Sequence, residues 1–130
     1  MLVRMILACF AIMLLASPGR AEECASLGYE DRENLIRKAR TCDKAMESFG
    51  DCAYGASGDT GLGQIVTEKC EGDFLKKLSI GQWRTYKREI KRCNDKYKDV
   101  EGTMYIAMAA GCRADLARSY SRKFSRPRSR

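Results

Sequence analysis

From Leu35 onward the apolar positions Leu35, Ile36, Ala39, Cys42, Met46 and Phe49 recur at steps of one, three and four. Such steps draw a single stripe along an α-helix and predict a first helix over roughly 31–49. Five glycines between Gly50 and Gly63, with Ser57, Asp59 and Thr60 among them, predict a loop. Asp59 or Thr60 can cap the helix after it. A second helix is expected over about 61–78, with Leu62, Ile65, Val66, Cys70, Phe74 and Leu78 on its apolar face. Ser79 and Gln82 have the spacing of a capping box, in which each side chain satisfies a free backbone amide at a helix start. The third helix begins there and carries Ile80, Trp83, Tyr86, Ile90, Cys93 and Tyr97 on one side, with Lys and Arg on the other. Its phase puts Trp83 and Tyr86 in the core or at its edge. Glu101 and Gly102 end it, Thr103 can cap a fourth helix, and Tyr105, Met108, Cys112, Leu116 and Tyr120 keep the same period to about Lys123. Short connections between amphipathic helices suggest an all-α fold, an antiparallel bundle of about four helices. Neither an internal repeat nor a competing strand pattern is visible.

The first residues follow a different rule. Arg4 supplies a positive start, residues 5–16 are an apolar run of 12, Pro18 breaks it, and Gly19-Arg20-Ala21 places small residues at a cleavage site. A membrane-spanning helix needs about 20 apolar residues, so a signal peptide cleaved after Ala21 is the expected reading. Cys9 lies inside the apolar run and is not read as a lipid acceptor. The expected layout is a signal peptide at 1–21, one helical domain at 22–120 and a basic flexible tail at 121–130. The expected location is periplasmic or secreted.

Export changes the meaning of the cysteines. Cys24, Cys42, Cys52, Cys70, Cys93 and Cys112 read as a disulfide framework in a small exported domain. Four of them sit on the apolar stripe of their own helix and point inward. Folding the fourth helix back along the third brings Cys93 and Cys112 to similar height, which makes them the preferred pair. The same counting about the glycine loop pairs Cys42 with Cys70 and leaves Cys24 with Cys52, a bond that requires the first helix to be short or bent. Six cysteines allow 15 connectivities, and spacing does not decide among all of them.

Most chemistry is excluded by what these residues lack. There is no histidine, so Ser-His-Asp and Cys-His catalysis are absent. No C-x-x-C occurs, and the cysteine spacings exceed those of zinc motifs. Asp95, Asp99 and Glu101, like Glu71 and Asp73, read as solvated helix charges. The loop around Gly55, Gly58, Gly61 and Gly63 lacks the Lys-Ser/Thr ending of a phosphate-binding loop. Met104 and Met108 imitate a copper-binding pair in spacing, but their apolar neighbours assign them to core packing. A non-enzymatic protein without metal, cofactor or small-molecule substrate is expected.

The net charge of +7 is unevenly placed. Residues 122–130 hold Arg122, Lys123, Arg126, Arg128 and Arg130 and no acid, whereas the body between leader and tail is neutral, 17 cations against 17 acids. A Ser/Arg/Pro tail cannot bury apolar area. It is either a solubilising terminus or a contact for anionic membrane or polysaccharide, attracted by a term that salt screens. Nucleic acid is not the expected partner.

The second half of the chain resembles a known group. Leu78-Ser79-Ile80-Gly81-Gln82-Trp83, a basic helix to Cys93, then Gly102-Thr103 and Cys112, is similar to the lysozyme inhibitor LprI-like family of small exported bacterial proteins. Cys42-Asp43-Lys44-Ala45 with Cys52 extends the likeness over residues 42–118. Trp83 directly after Gln82, Thr103 in place of a serine, and the extra Cys24 and Cys70 depart from it. The resemblance implies a protein-binding module that occupies the cleft of a lysozyme or acts on another envelope-directed protein. Many lysozymes are cationic, so a neutral body and a basic tail are not the charges an inhibitor would be expected to carry. The exposed loop 54–60 is the expected inserting element, with Tyr54 as aromatic anchor and Ser57 as hydrogen-bonding group. The alternative is an envelope interaction or structural protein that binds anionic surfaces through its tail.

Overall fold

A computed structural model describes residues 24–125. The expected signal peptide and the tail residues Arg126, Arg128 and Arg130 lie outside the described residues. Within them the chain forms five α-helices: α1 (Tyr29–Lys38), α2 (Cys42–Cys52), α3 (Asp59–Phe74), α4 (Ile80–Tyr97) and α5 (Met104–Ser125). A single 3-10 turn, Leu75–Lys77, joins α3 to α4, and no strand occurs among the described residues. The protein is an all-α bundle held by three disulfides.

The predicted helix over 31–49 is two helices. Ala39 turns to an extended ψ of 134°, its N–H donating to the Ile36 carbonyl. Thr41, also extended, then starts α2 by accepting the Lys44 N–H on its side-chain oxygen at 3.1 Å. A threonine at this position satisfies one of the four free amides at a helix start. The apolar stripe continues through the break because Ile36 on α1 and Cys42, Ala45 and Phe49 on α2 all enter the same core. Leu35, counted on the stripe, is instead exposed. The glycine loop is shorter than expected, since α2 runs through Gly50 to Cys52 and α3 starts at Asp59.

Packing is closest between α3 and α5, and small residues make it so. Ala107, Ala110, Ala114, Ala117 and Ser121, spaced three and four apart, are all buried on α5. Opposite them, a Cβ added to Gly63 would lie 3.0 Å from the Ala110 Cβ and 3.2 Å from its carbonyl carbon. The two backbones approach to the limit that glycine and alanine allow. This corrects the predicted α5 face: Leu116 and Tyr120 are partly buried against the core, but Met104 and Met108 are exposed and not core. In the sequence pattern the size of the methionines outweighs the alanines, whereas close helix approach selects for the smaller side chain.

The core is closed by Phe74, Tyr86 and Tyr120. Phe74 and Tyr86 meet edge to face with centroids 5.1 Å apart, and Tyr120 lies 5.5 Å from Phe74 and 4.8 Å from Tyr86. Each tyrosine keeps its hydroxyl satisfied by donating to a carboxylate, Tyr86 to Glu71 at 2.8 Å and Tyr120 to Glu89 at 2.5 Å. Burial first, then these carboxylates, pushes both phenols above their ordinary value, Tyr120 up to about 12. An unfolded tyrosine loses its proton near pH ~10. The stabilisation is therefore complete below that pH and is lost as pH rises through about 12. Melting temperature should fall above pH ~10, and a Tyr86→Phe, Tyr120→Phe variant should show a flatter fall in thermal unfolding followed by circular dichroism.

The capping box of α4 is present, Ser79 N–H donating to Gln82 Oε1 at 2.8 Å and Gln82 N–H to Ser79 Oγ at 3.3 Å. Beyond it, α4 packs chiefly against α5 and fully buries only Tyr86 and Cys93. Its first turn overhangs the core. Trp83, expected in the core or at its edge, is 45% exposed, and Ile80 is 73% exposed.

The disulfides are Cys24–Cys52, Cys42–Cys70 and Cys93–Cys112, with Cα separations of 5.2, 4.7 and 5.6 Å. Counting along the helices gives the second and third of these pairs, and the first is the one it leaves over. The first is possible because the chain breaks after Lys38, which frees α2 to present Cys52.

Candidate functional site

The loop between α2 and α3 is built on one carboxylate. Asp59, the first residue of α3, is 4% exposed. Its Oδ2 accepts the backbone N–H groups of Tyr54 at 2.9 Å, Gly55 at 2.6 Å and Ala56 at 3.1 Å. Three convergent amides form a concave anion site, filled here by the protein's own side chain, and the start of α3 adds its favourable dipole. Gly55 supplies the left-handed turn, φ +73°, that lets successive amides point inward. Asp59 N–H donates back to the Ala56 carbonyl at 3.0 Å, and Thr60 N–H to that of Ser57 at 3.2 Å. The loop is thus closed by its own backbone, with the Cys24–Cys52 bond just before it.

On this frame Tyr54 is 52% exposed and Ser57 is exposed, so both predicted contact residues are presented on one loop. The Arg32 guanidinium lies over the Tyr54 ring, 5.3 Å from its centroid, and limits where the ring can point. Tyr29 supports the loop from α1. Its ring is 3.7 Å from where a Cβ would sit on Gly58, and its hydroxyl occupies the space a Cβ on Gly61 would need. Sequence reasoning marks Asp59 as a helix cap only and misses Tyr29 and Arg32, which lie in α1 far from the loop in sequence. The aspartate itself is the available signal, because a short carboxylate among glycines readily collects backbone amides.

The predicted anionic-surface residues divide. Arg122 and Lys123 belong to α5, which runs on to Ser125. Arg122 is bonded to Asp43 on α2, with Nε 2.8 Å and Nη2 2.7 Å from Oδ1. The Lys123 amine lies 5.4 Å from the Phe124 ring centroid. Next to them an open groove of about 650 Å³ is lined by Arg40, Asp43, Asp73, Ser121 and Arg122. Its carboxylates are engaged, Asp43 by Arg122 and Asp73 by the Ser121 hydroxyl at 2.5 Å. Since Asp59 starts α3 and Asp73 is near its end, the loop and this groove lie roughly 20 Å apart along the helix.

Among the described residues no group of three or more Cys, Asp or Glu side chains is placed to hold a metal ion, and no helix is long and apolar enough to cross a membrane. Compared with known proteins, the chain matches no family model, no curated protein and no solved structure.

Proposed function

We propose that the chain is a non-enzymatic exported binding module whose protein-contacting element is the loop 54–60, with a lysozyme as the first partner to test. The observation that carries this reading is the Asp59 carboxylate holding three loop amides while Tyr54 stays exposed. A loop already ordered in the free protein loses less conformational freedom on binding, and an exposed, oriented tyrosine is a typical interface anchor. Three disulfides and the absence of a membrane-crossing helix among the described residues are compatible with export. The lysozyme target rests on the resemblance around Gln82, Cys93 and Cys112. Binding led by the tail is the weaker reading, because Arg122 is committed to Asp43 within the bundle.

The test is lysis of a cell-wall suspension by a panel of lysozymes, with the oxidised chain processed after Ala21. Dose-dependent inhibition is expected, unchanged in a chain ending at Ser125, which keeps all of α5. Tyr54→Ala should weaken inhibition by roughly 30-fold, the scale of an interface hot spot. Asp59→Ala should weaken it at unchanged helix content, by releasing the loop. No inhibition across the panel would overturn the lysozyme target, and inhibition indifferent to both substitutions would overturn the loop as the site.

A further inference from the structure

The exposed surface that runs from the 3-10 turn over the first half of α4 combines features that the loop reading does not use. From Phe74 to Arg88 the chain carries Lys76, Lys77, Arg84, Lys87 and Arg88 and not one acid. All five are exposed. The nearest flanking acids in sequence are occupied, Asp73 by Ser121 and Glu89 by Tyr120. Ile80 and Trp83 emerge from the middle of this stretch, 73% and 45% exposed. The Lys87 amine lies 5.8 Å from the centre of the Trp83 ring. On a helix, Ile80, Arg84 and Lys87 fall at i, i+4 and i+7, one stripe facing away from Tyr86 and Cys93 with Trp83 at its core-side flank, and the next cation along it, Lys91, is already paired with Asp95 at 2.6 Å.

We infer that this surface is a docking surface for an anionic phospholipid bilayer, with Ile80 and Trp83 entering the headgroup boundary and Lys76, Lys77, Arg84, Lys87 and Arg88 meeting lipid phosphates. Charge complementarity calls for a polyanion, and the exposed apolar pair selects among polyanions. A soluble polysaccharide or nucleic acid gains nothing from a bare isoleucine in the centre of the patch. A bilayer gains buried apolar area there, and tryptophan favours the level where acyl chains meet headgroups. The capping box fixes the first turn, so both side chains project from a rigid helix start. The surface begins at the end of α3 remote from the loop 54–60, so the protein can lie on a membrane while the loop faces outward. This inference is independent of the lysozyme target.

Trp83 is the sole tryptophan of the chain and so reports its own environment. The experiment titrates the oxidised chain processed after Ala21 with vesicles of phosphatidylglycerol and phosphatidylcholine, reading Trp emission and co-sedimentation. A blue shift with phosphatidylglycerol vesicles, absent with phosphatidylcholine alone and reversed by salt, is expected. It should persist in a chain ending at Ser125. Each cation near an anionic surface multiplies partitioning by roughly five, so Arg84→Glu with Lys87→Glu should reduce it at least ~30-fold at unchanged circular dichroism. Ile80→Ser, which leaves the fluorophore and all charges in place, should lessen both shift and affinity. The inference is overturned by any of three results: no lipid-dependent shift, a shift insensitive to the charge reversal, or binding lost with residues 126–130. Equal affinity for dextran sulfate without a blue shift would also overturn it, in favour of a soluble polyanion.

Discussion

Phe74→Ala should cost about 3 to 5 kcal/mol of stability, the range for removing a fully buried aromatic side chain. The ring is 0% exposed and closes the core where the end of α3 meets α4 and α5. The alanine variant loses the edge-to-face contact with Tyr86 and the contact with Tyr120, and the cavity term adds to the lost transfer energy. Small domains hold only ~5 to 15 kcal/mol in total, so the variant should unfold at clearly lower urea. Phe74→Leu, which refills part of the volume, should lose less. Urea unfolding of the oxidised chain checks both. A loss below ~1 kcal/mol for the alanine variant would mean that α4 is not seated on this ring.

The second large effect is expected at Cys42 and Cys70. Both residues are buried, at 4% and 0% exposure, and their bond ties α2 to α3 across a separation of 28 residues. A loop of that length corresponds to about 3 to 4 kcal/mol of denatured-state entropy. Replacing both cysteines by alanine should remove that much, with the remaining bonds intact. Urea midpoints of the two oxidised proteins measure it. Equal midpoints would mean that the bond holds no more than the surrounding helices already hold.

The features legible in the sequence are local or periodic. The Ser79 and Gln82 cap depends on residues three apart, and the inward cysteines on helical phase, so both can be read directly. The break at Thr41 cannot, because two helices feeding one core continue a single apolar stripe. The alanine face of α5 escapes for a related reason: hydrophobic size marks burial only where helices stand at ordinary distance, and Gly63 brings α3 unusually near. Periodicity places Trp83 inside because it gives the side of a helix, not how far a neighbour extends over it. In the loop, Tyr54 and Ser57 are visible from composition. The carboxylate beneath them and the support from Tyr29 and Arg32 require three-dimensional proximity.

The disulfide topology also bears on how the chain matures. Among the six bonded cysteines the first four along the chain are 24, 42, 52 and 70, yet the bonds join the first to the third and the second to the fourth. An oxidant acting on each cysteine as it emerges would join neighbours, Cys24 to Cys42 and Cys52 to Cys70, and only the hairpin bond Cys93–Cys112 matches that order. Reaching the interleaved pair then requires thiolate attack on bonds already made. Oxidation that runs ahead of helix assembly thus leaves the chain dependent on disulfide isomerisation, whereas helices that assemble first present the interleaved pairs directly.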